Sequence, residues 1–299
     1  MKHALKITLL LVFIFFVTQV IGLSITNKYI NHQTIAKTGE VTFKALPYNL
    51  ERPQIEESTS YIWIIAAIII GTLLMLLVVK FKKMSLWKLW FFLAVFFSMA
   101  IAFSAFINPT LAAILAFILA LRKIYKPTII ISNLTEIFIY GGLAAILVPV
   151  INIFAVFMLL ILISVYDIIA VNHTKHMVKL AKFQVKSNLF AGLFIPYGKS
   201  EGKTPKREKG IIEKKEAGKI AVLGGGDIGF PLIFAGVVMK DLMLNNIELI
   251  GFLKTLIIPL FVSLALLYLL VKSRKDKFYP AMPYLTAGCI IGYFVVLLL

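Results

Sequence analysis

The sequence predicts an all-α polytopic membrane protein with nine transmembrane helices, its N-terminus cytoplasmic and its C-terminus external. Three observations predict it. Of 299 residues, 60% are hydrophobic and 15% charged, against about 45–50% apolar and about 25% charged in soluble domains. The apolar residues are clumped into runs such as YIWIIAAIIIGTLLMLLVV, close to the ~20 residues that span a bilayer. The basic residues collect in every second loop, as the positive-inside rule requires.

The spans follow in order. The first, 5–25, comes after Lys2 and ends without a small-x-small cleavage site, so it reads as an uncleaved span and not a signal peptide. An external loop of mixed charge occupies 26–60. Spans two and three are 61–79 and 89–107. Span four, 109–121, is short between Pro109 and Arg122 and must extend into its flanks; without it the charge alternation breaks. Spans five and six are 128–148 and 151–171. A loop rich in Lys and Gly, 173–218, buries too little apolar surface to fold and is expected to be flexible. Spans seven, eight and nine are 219–239, 247–271 and 281–299. The chain thus divides into spans one to six (1–172), a basic cytoplasmic loop (173–218) and spans seven to nine (219–299).

The charge count sets the orientation. Lys2 and Lys6 stand at the start of span one; Lys80, Lys82, Lys83 and Lys88 follow span two; Arg122, Lys123 and Lys126 follow span four. The run from Lys175 to Lys219 follows span six, and Lys272, Arg274, Lys275 and Lys277 follow span eight. The alternate loops hold only Lys28, Lys37, Lys44, Arg52 and Lys240 of the 31 basic residues. The net charge of +17 therefore reads as orientation and attraction to anionic lipid, not as a nucleic-acid surface. The single cysteine, Cys289, excludes an intrachain disulfide framework, a cysteine metal site and an iron–sulfur cluster. Trp63, Trp87 and Trp90 lie near span ends and read as interfacial anchors.

Ionisable residues inside spans are costly, by about 2.5–3.5 kcal/mol on insertion scales. Glu136, Glu248 and Lys254 lie near enough to span ends to snorkel or pair locally. Asp167 and Asp227 do not. Asp167 is about five residues short of the cytoplasmic end of span six, and Asp227 about eight residues into span seven. At ~1.5 Å per residue the depths are roughly 8 and 12 Å. Two antiparallel neighbours thus carry one carboxylate each at similar depth. Brought close in a low dielectric, one ionised carboxyl can activate water while its protonated partner donates to a carbonyl under attack, hydrolysing a peptide without a covalent intermediate.

Asp227 stands in KIAVLGGGDIGF, which also spells G-x-G-x-x-G with Gly224, Gly226 and Gly229 after a strand-like run. A dinucleotide site is excluded: Asp227 would face the pyrophosphate, Pro231 interrupts the helix early, and no second β-α-β half follows. The glycines instead remove side chains beside Asp227, let another backbone approach and weaken the helix there.

At these residues the sequence resembles the presenilin and signal peptide peptidase family of intramembrane aspartyl proteases. Tyr166-Asp167 resembles the family's Tyr-Asp motif in span six. Gly224-Gly225-Gly226-Asp227 resembles its Gly-x-Gly-Asp motif in span seven. Pro280-Ala281-Met282 resembles its Pro-Ala-Leu motif at span nine, with Met282 a near-isosteric replacement of Leu. The resemblance covers most of the chain, including the long loop after span six. It implies Asp167 and Asp227 as the catalytic pair, and Tyr166, Gly224, Gly226, Pro280, Ala281 and Met282 as residues that shape the site and place substrate. It implies transmembrane protein substrates, a cell-membrane location, no cofactor, no metal and no obligatory accessory subunit, as in the archaeal homologues. With the long loop inside, the orientation resembles presenilin, and substrates are expected to be single-span proteins with their N-terminus outside.

The alternative is an ion or proton transporter or channel using the paired carboxylates, which the absence of a recognisable internal repeat disfavours. A prepilin-type peptidase shares Gly-x-Gly-Asp but is expected to carry paired cysteines. Neither H-E-x-x-H nor a G-x-S-G serine motif occurs. His173 and His176 are spaced for one helix face, but no acidic or cysteine ligand accompanies them.

Overall fold

The computed structural model describes residues 5–81, 84–171, 191–197, 219–273 and 279–299. His173, His176 and most of the predicted 173–218 loop lie outside them. The chain is mostly helical: α1 (Leu5–Tyr29), α2 (His32–Thr38), α3 (Ser60–Lys80), α4 (Met84–Ser104), α5 (Pro109–Tyr125), α6 (Ile129–Leu147), α7 (Ile153–Ile169), α8 (Gly225–Asn245), α9 (Glu248–Thr255), α10 (Ile257–Lys272) and α11 (Met282–Leu297). Five of the described segments are long and apolar enough to cross a membrane.

Helix α8 is the centre of the bundle. From Pro231 to Met239 every residue is buried, the all-round burial of a helix with neighbours on all sides. It touches α1, α6, α7, α10 and α11. Helices α4 and α5 pack on the outer side of α6, forming a second apolar cluster around Met99, Ala112 and Ala116. Helix α3 lies at the edge against α7, and little of it is buried. Small residues let the backbones close up: Gly288 and Gly292, spaced G-x-x-x-G on α11, face the Cα atoms of Val262 and Ile258 on α10, each 2.9 Å from where a Cβ would stand.

Several expectations need correction. Span seven is not helical from 219. Lys219–Gly224 is a strand, β2, paired antiparallel with β1 (Gly192–Tyr197) inside the loop expected to be flexible. The reason is alternation. Leu193, Ile195, Ala221 and Leu223 are buried and join the main core, while Val222 is 44% exposed, the period of two of a half-buried sheet. Span eight is broken into α9 and α10 at Leu256, three residues before Pro259, which lacks the N–H to continue the ladder. Span four extends, as α5, to Tyr125. That extension takes Lys123 out of the predicted loop and into the interior, 3% exposed. Trp63 and Trp90 are exposed, but Trp87 is buried in the second cluster and is no interfacial anchor.

The hairpin has one closed edge. Asn133 on α6 accepts from the Phe194 N–H (2.8 Å) and donates to its carbonyl (2.7 Å), so this side chain acts as a one-residue strand partner for β1. Phe194 therefore turns both backbone groups away from β2. Its register partner Val222 must do likewise on the other side, because opposite residues in an antiparallel pair share that choice. Pro196, without an N–H, sits in the same outward set. The outward set on β2 is thus Ile220, Val222 and Gly224.

Candidate active site

Asp227 stands in the first turn of α8, with Gly224 as its N-cap. Its carboxylate lies back over Gly224, with Oδ2 3.3 Å from where a Cβ on that residue would stand, the reach-back position of a capping box, here without a side-chain partner at the cap. Gly224 is also the last outward residue of β2, so the carboxylate stands at the end of that strand's outer edge, which no strand pairs among the described residues. Four residues on, Pro231 has no N–H for the Asp227 carbonyl.

Asp167 stands near the end of α7 and is 6% exposed. It accepts from the Met282 N–H at 3.1 Å, next to Ala281 at the N-cap. These are the first backbone groups of α11, whose orphan donors and positive dipole end favour a carboxylate. Ser164, one turn before Asp167, bonds Thr286 at 2.8 Å and fixes α7 against α11. The two carboxylates are within electrostatic reach of each other. The structure thus brings together Asp167, Asp227, Gly224, Ala281 and Met282, with Met282 buried and Ala281 half-buried. Tyr166 is half-buried beside Asp167, and Pro280 is half-buried before Ala281. Gly226 is exposed, and a Cβ there would meet only Phe230, at an ordinary 3.5 Å.

Sequence reasoning missed a second group of residues around Asp227. Gln19, fully buried on α1, donates to the Ile228 carbonyl at 2.8 Å. Tyr140 on α6 presses its hydroxyl against Gly225 and donates to Glu136. Glu136 does not snorkel; it pairs with Lys123 at 2.5 Å, both side chains almost fully buried. A lone glutamine in an apolar span and the i, i+4 spacing of Glu136 and Tyr140 were available signals. Glu248, at the start of α9, accepts from Asn27 on α1 at 2.8 Å. Lys254 reaches the Leu299 carbonyl at 3.2 Å.

A family model described as signal-peptide peptidase, presenilin aspartyl protease matches residues 12–299. The chain belongs to that family. It is accordingly an intramembrane aspartyl protease, a hydrolase of the membrane and a multi-pass protein. The fold agrees. The structure of a presenilin family intramembrane aspartate protease in space group C222 matches with a TM-score of 0.61 at 18% identity, covering 97% of this chain and 98% of that one. A second, in space group P2, matches with a TM-score of 0.60 at 18% identity, covering 98% and 97%. Among curated proteins, none matches the chain significantly. The dinucleotide motif is accounted for in the same geometry: its strand is real, but it pairs antiparallel in a two-stranded hairpin.

Proposed function

We propose that Asp167 and Asp227 are the catalytic pair, hydrolysing peptide bonds within transmembrane segments of single-span proteins. One carboxylate takes a proton from a water held between them; the other, protonated, donates to the carbonyl oxygen under attack. The observation that carries this reading is the junction itself. Two carboxylates from different helices interact, one held by the N-terminus of α11 and the other by that of α8. Tyr166, Gly224, Gly226, Pro280, Ala281 and Met282 surround them and place the substrate.

The outer edge of β2, unpaired among the described residues, supports a binding mode. A helical substrate shields its carbonyls, so it must unwind before cleavage. An unwound segment added to the outward groups of Ile220 and Val222 runs on directly to the Asp227 carboxylate. Nine spans, a cytoplasmic N-terminus and an external C-terminus place the site near the cytoplasmic face. The domain division at 172 and 218 goes with that topology. Substrates then enter with their N-terminus outside, and the chain works without accessory subunits.

The test is cleavage of a single-span substrate in liposomes by the parent, Asp167→Asn and Asp227→Asn proteins. The expected result is cleavage by the parent alone. Activity surviving either substitution removes that residue from the mechanism. Cleavage confined to substrates with their N-terminus inside overturns the orientation. Proton-coupled ion flux without cleavage would favour a transporter.

A further inference from the structure

We propose that Tyr140 is a positioning residue for Asp227, held in place by the buried Lys123–Glu136 ion pair. The proposal rests on the reading of Asp227 as catalytic.

The pair is fully committed. The Lys123 ammonium donates to Glu136 Oε1 at 2.5 Å, to Thr135 Oγ1 at 3.0 Å and to the Ser132 carbonyl at 3.4 Å, using its three donors. The other carboxylate oxygen, Glu136 Oε2, accepts from the Tyr140 hydroxyl one turn further along α6. Tyr140 has thereby used its only proton, and a charge-assisted bond fixes its ring more firmly than a neutral one would.

The ring then meets the helix that carries Asp227. A Cβ on Gly225 would stand 2.3 Å from the Tyr140 hydroxyl oxygen, and one on Gly229 would stand 3.5 Å from its Cδ1. Gly225 and Gly229 lie two residues before and two residues after Asp227. The tyrosine therefore backs the helical turn from which the carboxylate projects on the other side.

A purely structural role explains less. A buried ion pair is often no more stabilising than apolar side chains of similar volume. Had α5 and α6 only to be joined, apolar contacts like those of Ala112 and Ala116 would serve. The pair instead passes its hold across α6 to α8 through one hydroxyl. Being neutral as a unit, it anchors the ring without adding net charge beside the two aspartates.

The experiment measures kcat and KM for a single-span substrate in liposomes, with thermal midpoints, for Tyr140→Phe, Glu136→Gln, their double variant and Asp227→Asn. Tyr268→Phe, which loses a comparable bond to Lys272 at 2.9 Å on an exposed face, is the control. Tyr140→Phe is expected to lower kcat by about 10- to 100-fold, the scale of a ~1 Å misplacement, with KM within about twofold. The double variant should lose no more than the worse single, because both remove the same hold. A Tyr140→Phe enzyme with parental kcat, or one whose loss lies in KM alone, overturns the proposal while leaving the aspartate pair standing. Multiplying losses in the double variant overturn it too. Should Glu136→Gln fail to fold, Tyr140→Phe alone decides through the kcat and KM split. Activity in Asp227→Asn instead defeats the catalytic reading underneath.

Discussion

Gly225→Ala tests whether the Asp227 turn is as tightly held as its neighbours imply. The added Cβ would stand 2.3 Å from the Tyr140 hydroxyl oxygen, 3.1 Å from Cζ and 3.2 Å from Cε1, where ordinary contact is 3.4–4 Å. The overlap with the oxygen is about an ångström. The ring cannot simply swing away, because Tyr140 is 5% exposed and bonded to Glu136. Either the ring or the β2–α8 junction must move. Overpacking of this kind costs about 1–3 kcal/mol, and moving Asp227 by ~1 Å costs about 100-fold in rate. The assay pairs the thermal midpoint in detergent with kcat in liposomes, beside Gly226→Ala, whose Cβ has room and which should not lower the midpoint. Adding Tyr140→Phe removes the 2.3 Å contact and leaves the 3.1 Å one, which a small tilt relieves. The double variant should therefore be more stable than the two single losses predict. A Gly225→Ala protein with parental kcat and midpoint, or strictly additive losses in the double variant, would refute this account.

Three further outcomes follow from other contacts. Asn133→Leu removes both hydrogen bonds to Phe194 and should weaken the hairpin by about 1–3 kcal/mol, read as a raised KM and faster amide exchange in β1 and β2; an unchanged KM counts against the strand platform. Gln19→Leu removes the donor to the Ile228 carbonyl together with the buried Gln19 Oε1, which has no partner among the described residues, so the stability should change by less than about 1 kcal/mol while kcat falls several-fold; the reverse pattern would make Gln19 merely structural. Gly142→Ala drives a Cβ to 1.9 Å from the Ser98 carbonyl oxygen on α4 and should destabilise by about 1–3 kcal/mol, whereas Gly71→Ala, with nothing within 4 Å, should not.

The aspartates were legible because a carboxylate amid apolar residues on both sides has few benign explanations, and Asp167 and Asp227 were the two so placed. The start of α8 was not legible. KIAVLG carries no periodicity that separates a short buried strand from a membrane helix, and its partner GLFIPY lies within a basic loop. Lys123 was misplaced because a lysine just past a short apolar run looks like a loop charge until its partner 13 residues on is seen to face it. Tyr140 and Gln19 stayed hidden for a plainer reason. The lone Gln19 and the i, i+4 pair of Glu136 and Tyr140 mark them as polar within apolar spans, but their importance lies in what they touch on α8, which that spacing does not record.

The Lys123–Glu136 pair also bears on how the protein enters the membrane. Lys123, in the last turn of α5, costs less on insertion than the about 2.5–3.5 kcal/mol of a lysine at the helix centre, but α5, at 17 residues, has little apolar length to offset it. Glu136 imposes its own cost on α6. Both costs fall when the side chains meet, and the short turn between the helices lets them meet as soon as both have been synthesised. The unit the translocon accepts is then the α5–α6 hairpin and not either helix. Insertion of α5 alone should be poor, and should recover when α6 follows with Glu136 intact; equal insertion with Glu136→Leu would show that the two helices enter independently.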